Sequence, residues 1–208
     1  MIRVALVWAN GTTGQGGISR FCDYLVRASK GSPDLTLHVV ATLPSQSRLL
    51  GRLLEGPALI RFAVQCRRGR YDVVHLNLAP HNSMKRKRRF QIAARLASVP
   101  TVVHLHGSDY DGWYDTLPPR RAAQVARLFD GAGRVIVCGD HWRRFVVERL
   151  GVDSDRVTVV YNGVPDDGAR ANPTNDPPRL ITLGLVGERK GTDVLLAALA
   201  RLPRDLDW

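Results

Sequence analysis

Two histidines one residue apart, His104 and His106, close an apolar run in the stretch Val102-Val103-His104-Leu105-His106-Gly107-Ser108-Asp109. Alternate residues of a strand share a face, so both imidazoles point the same way. They do so at the carboxyl end of the strand, where α/β sheets bind ligands. Such a pair could ligate a metal, move a proton or hydrogen-bond a ligand. The binuclear metallohydrolase pattern His-x-His-x-Asp-His is missed, because Asp109 comes one residue late and Tyr110 stands where the last His would be. The other histidines, His38, His75, His81 and His141, are scattered singly, so no metal is expected. His106, beside a glycine turn, is placed to meet a sugar hydroxyl or a phosphate, and His104 reads as a core histidine.

The run Ile2 to Trp8 enters a glycine cluster, Gly11, Gly14, Gly16 and Gly17, that leads into a helical stretch. Backbone N–H groups of such a loop can approach phosphate oxygens at a helix N-terminus. There is no Gly-Lys-Ser/Thr, and Gly14-Gln15-Gly16-Gly17-Ile18-Ser19 lacks the third glycine of the dinucleotide fingerprint. The second strand ends at Ala41-Thr42, without the acid that would bind a ribose, so no nicotinamide cofactor is expected. A turn without a ligand is the alternative reading.

A third feature is the basic run Lys85-Arg86-Lys87-Arg88-Arg89 in the first turns of a helix whose apolar stripe reads as Ile92, Ala93, Leu96 and Ala97. Cations there oppose the helix dipole and call for an anion. An anionic membrane surface or a lipid pyrophosphate would supply one; a solvated basic face is the alternative. Nucleic acid is not expected, since no aromatic residues interleave the cations.

The elements that must position these groups alternate regularly. Strands are predicted at Leu35–Ala41, Asp72–Leu76, Thr101–Leu105, Arg134–Val137 and Val157–Val160, after the first at Ile2–Trp8. Helical stretches are predicted from Ile18 to Gly31, then at Arg48–Cys66, Ser83–Ala97, Arg120–Phe129 and His141–Leu150. This is an α/β fold with a Rossmann-like, doubly wound parallel sheet. The first domain is expected over 1–165. A polar linker rich in Asp, Asn, Gly and Pro follows over 166–178. Residues 179–208 read as one strand (Leu180–Val186) and one helix (Asp193–Leu202) of a truncated second Rossmann-like domain.

The chain has 208 residues, 44% of them hydrophobic and 24% charged, within the globular range. The longest apolar runs, such as Val99–Leu105, are too short to cross a bilayer, and no cleavable leader is apparent at Met1-Ile2-Arg3-Val4. A cytoplasmic protein, peripheral on the inner face of the membrane, is the expectation. Lys+Arg total 30 against 19 Asp+Glu, a formal charge of +11 that favours an anionic partner. Cys22, Cys66 and Cys138, odd in number and widely spaced, read as three buried thiols.

The ordered set of motifs resembles glycosyltransferase family 4, which has the GT-B fold. Its parts are Gly14-Gln15-Gly16-Gly17, Asp72-Val73-Val74-His75, His104-Leu105-His106-Gly107, the stretch Val157 to Pro165, and Gly187-Glu188-Arg189-Lys190-Gly191. Within the family, His75-Leu76-Asn77 followed by Ser83-Met84-Lys85-Arg86-Lys87 is similar to bacterial members that build exopolysaccharide or capsule on a lipid carrier. The resemblance implies retaining, metal-independent sugar transfer from a nucleoside-diphosphate sugar to a lipid-linked or polysaccharide acceptor, with no cofactor beyond that co-substrate. It implies donor phosphates held between the two domains by Gly16, Gly17 and Lys190, with His106 facing acceptor and transferred sugar. Gly184-Leu185 stands where members commonly have Gly-Arg, so one diphosphate cation is missing or is supplied by Arg189. Asp109 joins Lys85, Arg86, Lys87, Arg88 and Arg89 on the expected acceptor or membrane surface. The family's later Glu-containing donor motif has no counterpart before Trp208, so the 208 residues alone are expected to transfer little sugar. A non-catalytic module that binds anionic lipid or a polysaccharide precursor is the second reading.

Overall fold

The computed structural model describes residues 1–9, 16–43, 47–107, 109–166, 168, 170, 180–184 and 186–203, without the side chains of residues 48, 49, 51, 52 and 189. The chain divides into two compact units, Met1–Pro165 and Asp166–Trp208.

The first unit is a six-stranded sheet flanked by helices. Its strands are β1 (Ile2–Trp8), β2 (Leu35–Ala41), β3 (Val73–Leu78), β4 (Thr101–Leu105), β5 (Arg134–Val137) and β6 (Val157–Val159), in the order β2-β1-β3-β4-β5-β6. Every described pairing is parallel. The central strands read as near-continuous apolar runs because both faces are buried, as parallel strands require. The crossovers are α1 (Gly17–Ala28), α2 (Arg48–Arg67), α3 (Asn82–Leu96), a short α4 (Tyr110–Asp115), α5 (Pro119–Asp130) and α6 (Asp140–Arg144), which runs on into a π-turn at Phe145–Arg149. β1 is flanked by β2 and β3, so the connections leave it in opposite directions. That reversal opens the crevice in which such sheets bind ligands.

Alternate residues divide the core in two. Val7, Leu76, Leu78, Val103, Leu105 and Val137 share a main core with Phe62, Phe90, Phe129 and Phe145. Leu6 and Trp8 form a smaller cluster with Cys22, Ile18, Phe21 and Leu25 of α1.

The second unit holds a turn at Glu188–Lys190 and α7 (Thr192–Leu199). The strand expected at Leu180–Val186 is not found among the described residues. Ile181, Leu183 and Val186 are exposed there, since a lone extended segment has no ladder to join. The helix expected at Asp193–Leu202 is present in shorter form.

Candidate functional site

The carboxyl ends of β3, β4 and β5 bring five polar side chains together on the α1 side of the sheet. Strand alternation puts His75 and Asn77 on one face of β3, and His104 and His106 on the same face of β4, in the register Asn77↔His104. The two β4 imidazoles stack with ring centroids 4.0 Å apart. His75 Nε2 and His104 Nδ1 lie 3.3 Å apart in a hydrogen bond. Cys138, just past β5, sets its Sγ 3.6 Å from His104 Nε2 and 3.9 Å from His106 Nδ1. Phe21 of α1 closes the group from above, with its ring centroid 5.0 Å from that of His106.

Asn77 decides the protonation pattern. Its Nδ2 donates to the Val7 carbonyl at 3.3 Å, which turns its Oδ1 toward His106 Nε2 at 2.9 Å. An amide oxygen only accepts, so His106 carries its proton on Nε2 and leaves Nδ1 bare. Burial drives the acid constants of the cluster down: His75 and His106 to about 4, and His104 further. The imidazoles are therefore neutral near pH 7, and His106 can accept a hydrogen bond from a hydroxyl at Nδ1.

His104, His106 and Cys138 also bring three donor atoms within 4.8 Å of one another, a spacing open to a metal ion. The stacked rings lie 27° from parallel, and each turns a nitrogen toward Cys138 Sγ, so the three groups contact one another directly. The arrangement as it stands is a hydrogen-bonding cluster.

The α1 N-terminus lies on the same side. Gly16 caps it at φ 107, a conformation that side-chain-bearing residues rarely adopt, and among the described residues nothing stands within 4 Å of the position a Cβ would take. The first turn has no acidic residue, and among the described residues no side chain caps it. Gly14 and Gln15 of the glycine loop lie outside the described residues.

The turn after β4 is fixed by sterics. Gly107 has φ 76, and a Cβ there would meet Trp142 Nε1 at 2.5 Å. Asp109 is exposed, in a left-handed conformation at the start of α4. Asp111, on α4, pairs with His141 of α6 at 2.8 Å.

The basic run does not form one surface. Only Lys85 and Arg89 are exposed, and Arg89 pairs with Glu55 of α2 at 2.6 Å. Arg86 and Arg88 are half-buried, and Lys87 is 2% exposed. The inward face of α3 is Met84, Lys87, Phe90, Gln91 and Ala94; of the expected stripe, Ala93 and Ala97 pack partly buried against the core, whereas Ile92 and Leu96 are exposed. Met84 and Phe90 set the helical phase, and Lys87, three residues from each, falls on their side. Its Nζ donates to Ser83 Oγ at 2.8 Å, and burial pushes its acid constant down to about 7. The ammonium is near enough to lower His106 as well.

Of the three thiols, Cys22 and Cys66 are buried as expected, but Cys138 is half-exposed and belongs to the histidine cluster. The sequence alone presents Cys138 only as a third buried thiol and gives Asn77 no role. The alternation His75-x-Asn77, which repeats His104-x-His106, was the signal for Asn77. Cys138 carried none, because its neighbours are set by strand order. Lys190 lies in the second unit and is exposed; Arg189 is in the same turn.

Comparison with known proteins agrees with this architecture. The family model described as "Glycosyl transferase 4-like domain" matches residues 4–163. Among solved structures, Anabaena Alr3699/HepE in complex with UDP aligns with a TM-score of 0.52 and 16% identity, covering 84% of this chain. The alignment takes in 47% of the HepE chain, so the present chain spans about half its length. No curated protein matches.

Proposed function

The chain belongs to the glycosyl transferase 4-like family, and from that premise we propose that its first unit is the acceptor side of an enzyme moving a sugar from a nucleoside diphosphate to a lipid-linked or saccharide acceptor. The observation that carries the proposal is His106. It is neutral, fixed as the Nε2–H tautomer by Asn77, and unprotonated at Nδ1, on the side of the sheet that α1 covers through Phe21. A neutral imidazole can orient an acceptor or sugar hydroxyl without adding charge. The N–H groups following Gly16 and Gly17 suit a diphosphate, whose negative charge grows as it departs. Lys190 and Arg189 are proposed as donor-side cations. Transfer is proposed to be metal-independent and to retain anomeric configuration, within the assembly of exopolysaccharide or capsule. The 208 residues alone, about half the length of HepE, are proposed to turn over little.

Amide NMR with added UDP tests the donor contact: the Gly16 and Gly17 signals should shift in a saturable way, and signals unmoved at millimolar UDP would remove α1 from the donor site. A transfer assay with labelled nucleotide sugars tests the chemistry. Any transfer should persist in EDTA, give a product of retained configuration and fall about 100-fold or more in His106→Ala, the scale of losing one positioned group. Full activity in that variant would reassign the reacting face.

A further inference from the structure

We propose that α2, and not the Lys85–Arg89 run, is the element that docks this protein on an anionic bilayer surface. Leu53, Pro57, Ile60 and Val64 follow one another at intervals of four, three and four residues, which places them on one face of the helix. That face is turned outward: Leu53 is 66% exposed, Ile60 67% and Val64 41%. Soluble helices ordinarily turn the apolar stripe inward, and α2 already does so with Phe62 and Cys66. The outer stripe is therefore a second apolar face that packs on nothing among the described residues.

What flanks the stripe identifies its partner. Arg61 is four residues from Pro57 and three from Val64, and Arg68 is four from Val64, so both border the stripe. Arg67 and Arg70 follow closely, and Arg3, His38, Arg61, Arg68 and Arg70 line an open recess of about 500 Å3. Burial lowers the pKa of His38 there, and the charges of Arg70 and Arg3 lower it further. Glu55, the one acidic residue of α2, is already paired with Arg89. In the recess itself only Arg3 has an acid partner among the described residues, Asp72. An outward apolar stripe bordered by arginines is the pattern of a helix lying in the headgroup layer, with hydrocarbon below and phosphates beside it. A soluble protein partner would need acidic groups matched to the arginines, whereas a bilayer of anionic lipid supplies them everywhere along the stripe. No described helix is long and apolar enough to cross a membrane, so the contact is peripheral.

The test is flotation of the purified chain with vesicles of phosphatidylcholine alone or mixed with phosphatidylglycerol, with circular dichroism to establish that each variant is folded. Wild type should float with the mixed vesicles and not with phosphatidylcholine alone. The double variant Leu53→Gln/Ile60→Gln should bind the mixed vesicles at least tenfold more weakly. Arg61→Gln/Arg68→Gln should lose most of the salt-sensitive part, and Lys85→Gln, which leaves the Arg89–Glu55 pair intact, should stay within twofold of wild type. Ile60→Trp should show a larger blue shift of emission on vesicles than wild type. Unchanged binding in Leu53→Gln/Ile60→Gln, or loss confined to Lys85→Gln, would overturn the proposal. So would self-association in solution that the leucine–isoleucine variant abolishes, since the stripe would then be a contact between copies. Binding of free phosphate without vesicle binding would reduce the recess to a small-anion site and refute membrane docking. Vesicle binding is read without any sugar transfer, so its failure and that of the transferase reading are separate results.

Discussion

Phe21 presents its ring to His106 at 5.0 Å between centroids and 65° between planes, and to His104 at 5.2 Å. The helix capped by Gly16 and the strand that ends at Leu105 are thus joined through the ring of one residue, which meets both imidazoles. Phe21→Ala should cost about 3 kcal/mol, the usual scale for truncating a packed phenylalanine. It should also weaken the UDP-dependent shifts of Gly16 and Gly17. Urea unfolding and amide NMR on the same variant check both, and normal nucleotide shifts would uncouple the helix from the cluster.

Asn77 holds the His106 tautomer, so Asn77→Leu should free it. Long-range proton–nitrogen NMR should show a single Nε2–H species in wild type and a mixture in the variant. The loss of two buried hydrogen bonds should lower stability by about 1–3 kcal/mol. A His106 that stays a single Nε2–H species would show that Asn77 is only a core residue.

The cluster should make the fold sensitive to acid. His75 and His106 have native acid constants near 4, below the unfolded value of 6.5, and His104 is also depressed. Above pH 6.5 both states are neutral and these groups do not affect the balance. As pH falls from 6.5 toward 4 the unfolded chain takes up protons first, so stability drops across that window. Urea midpoints measured from pH 7.5 to 4.5 should fall, and less steeply in His75→Gln.

Lys87 carries a slope of the same sign at the other end of the scale. Its native acid constant of about 7 lies below the unfolded 10.5, so between these values the unfolded chain holds the extra proton. Stability should therefore rise as pH goes from 7 to 10, and each tenfold difference in proton affinity is worth about 1.4 kcal/mol. Lys87→Met should be at least as stable as wild type at pH 7 and should lack this rise. A variant that unfolds at pH 7 would show that the ammonium has partners beyond Ser83.

Gly107→Ala combines a φ of 76 with a contact at 2.5 Å to the Trp142 indole, and should destabilise by about 2 kcal/mol or more. Trp142→Ala should recover part of that loss in the double variant, and thermal unfolding of the four proteins measures the coupling.

The strands were legible because parallel, doubly buried strands write themselves as apolar runs: Ile2–Trp8 and Thr101–Leu105 match their predicted bounds. The helix over the basic run was legible in place but not in phase, because Ile92 and Leu96 suggested an inward stripe that Met84 and Phe90 set elsewhere. The pairing of His104 with His106 followed from alternation along one strand. Their contacts with His75 and Cys138 depend on which strands become neighbours, which no spacing within one segment encodes. α4 went unseen because its six residues follow a left-handed Asp109 and have no room for a period.

The strand order also has a consequence for synthesis of the chain. From β4 onward each strand pairs with the one made just before it, so the sheet can extend at a single growing edge as the polypeptide leaves the ribosome. Only β3 must pass over an occupied position, reaching the far side of β1. A chain that has emerged no further than residue 73 holds a two-stranded core, whereas emergence through Cys138 brings every member of the histidine cluster within reach. A ribosome-bound chain stalled so that Cys138 has just left the exit tunnel should therefore resist protease from β1 through β4 while β6 is still inside the tunnel.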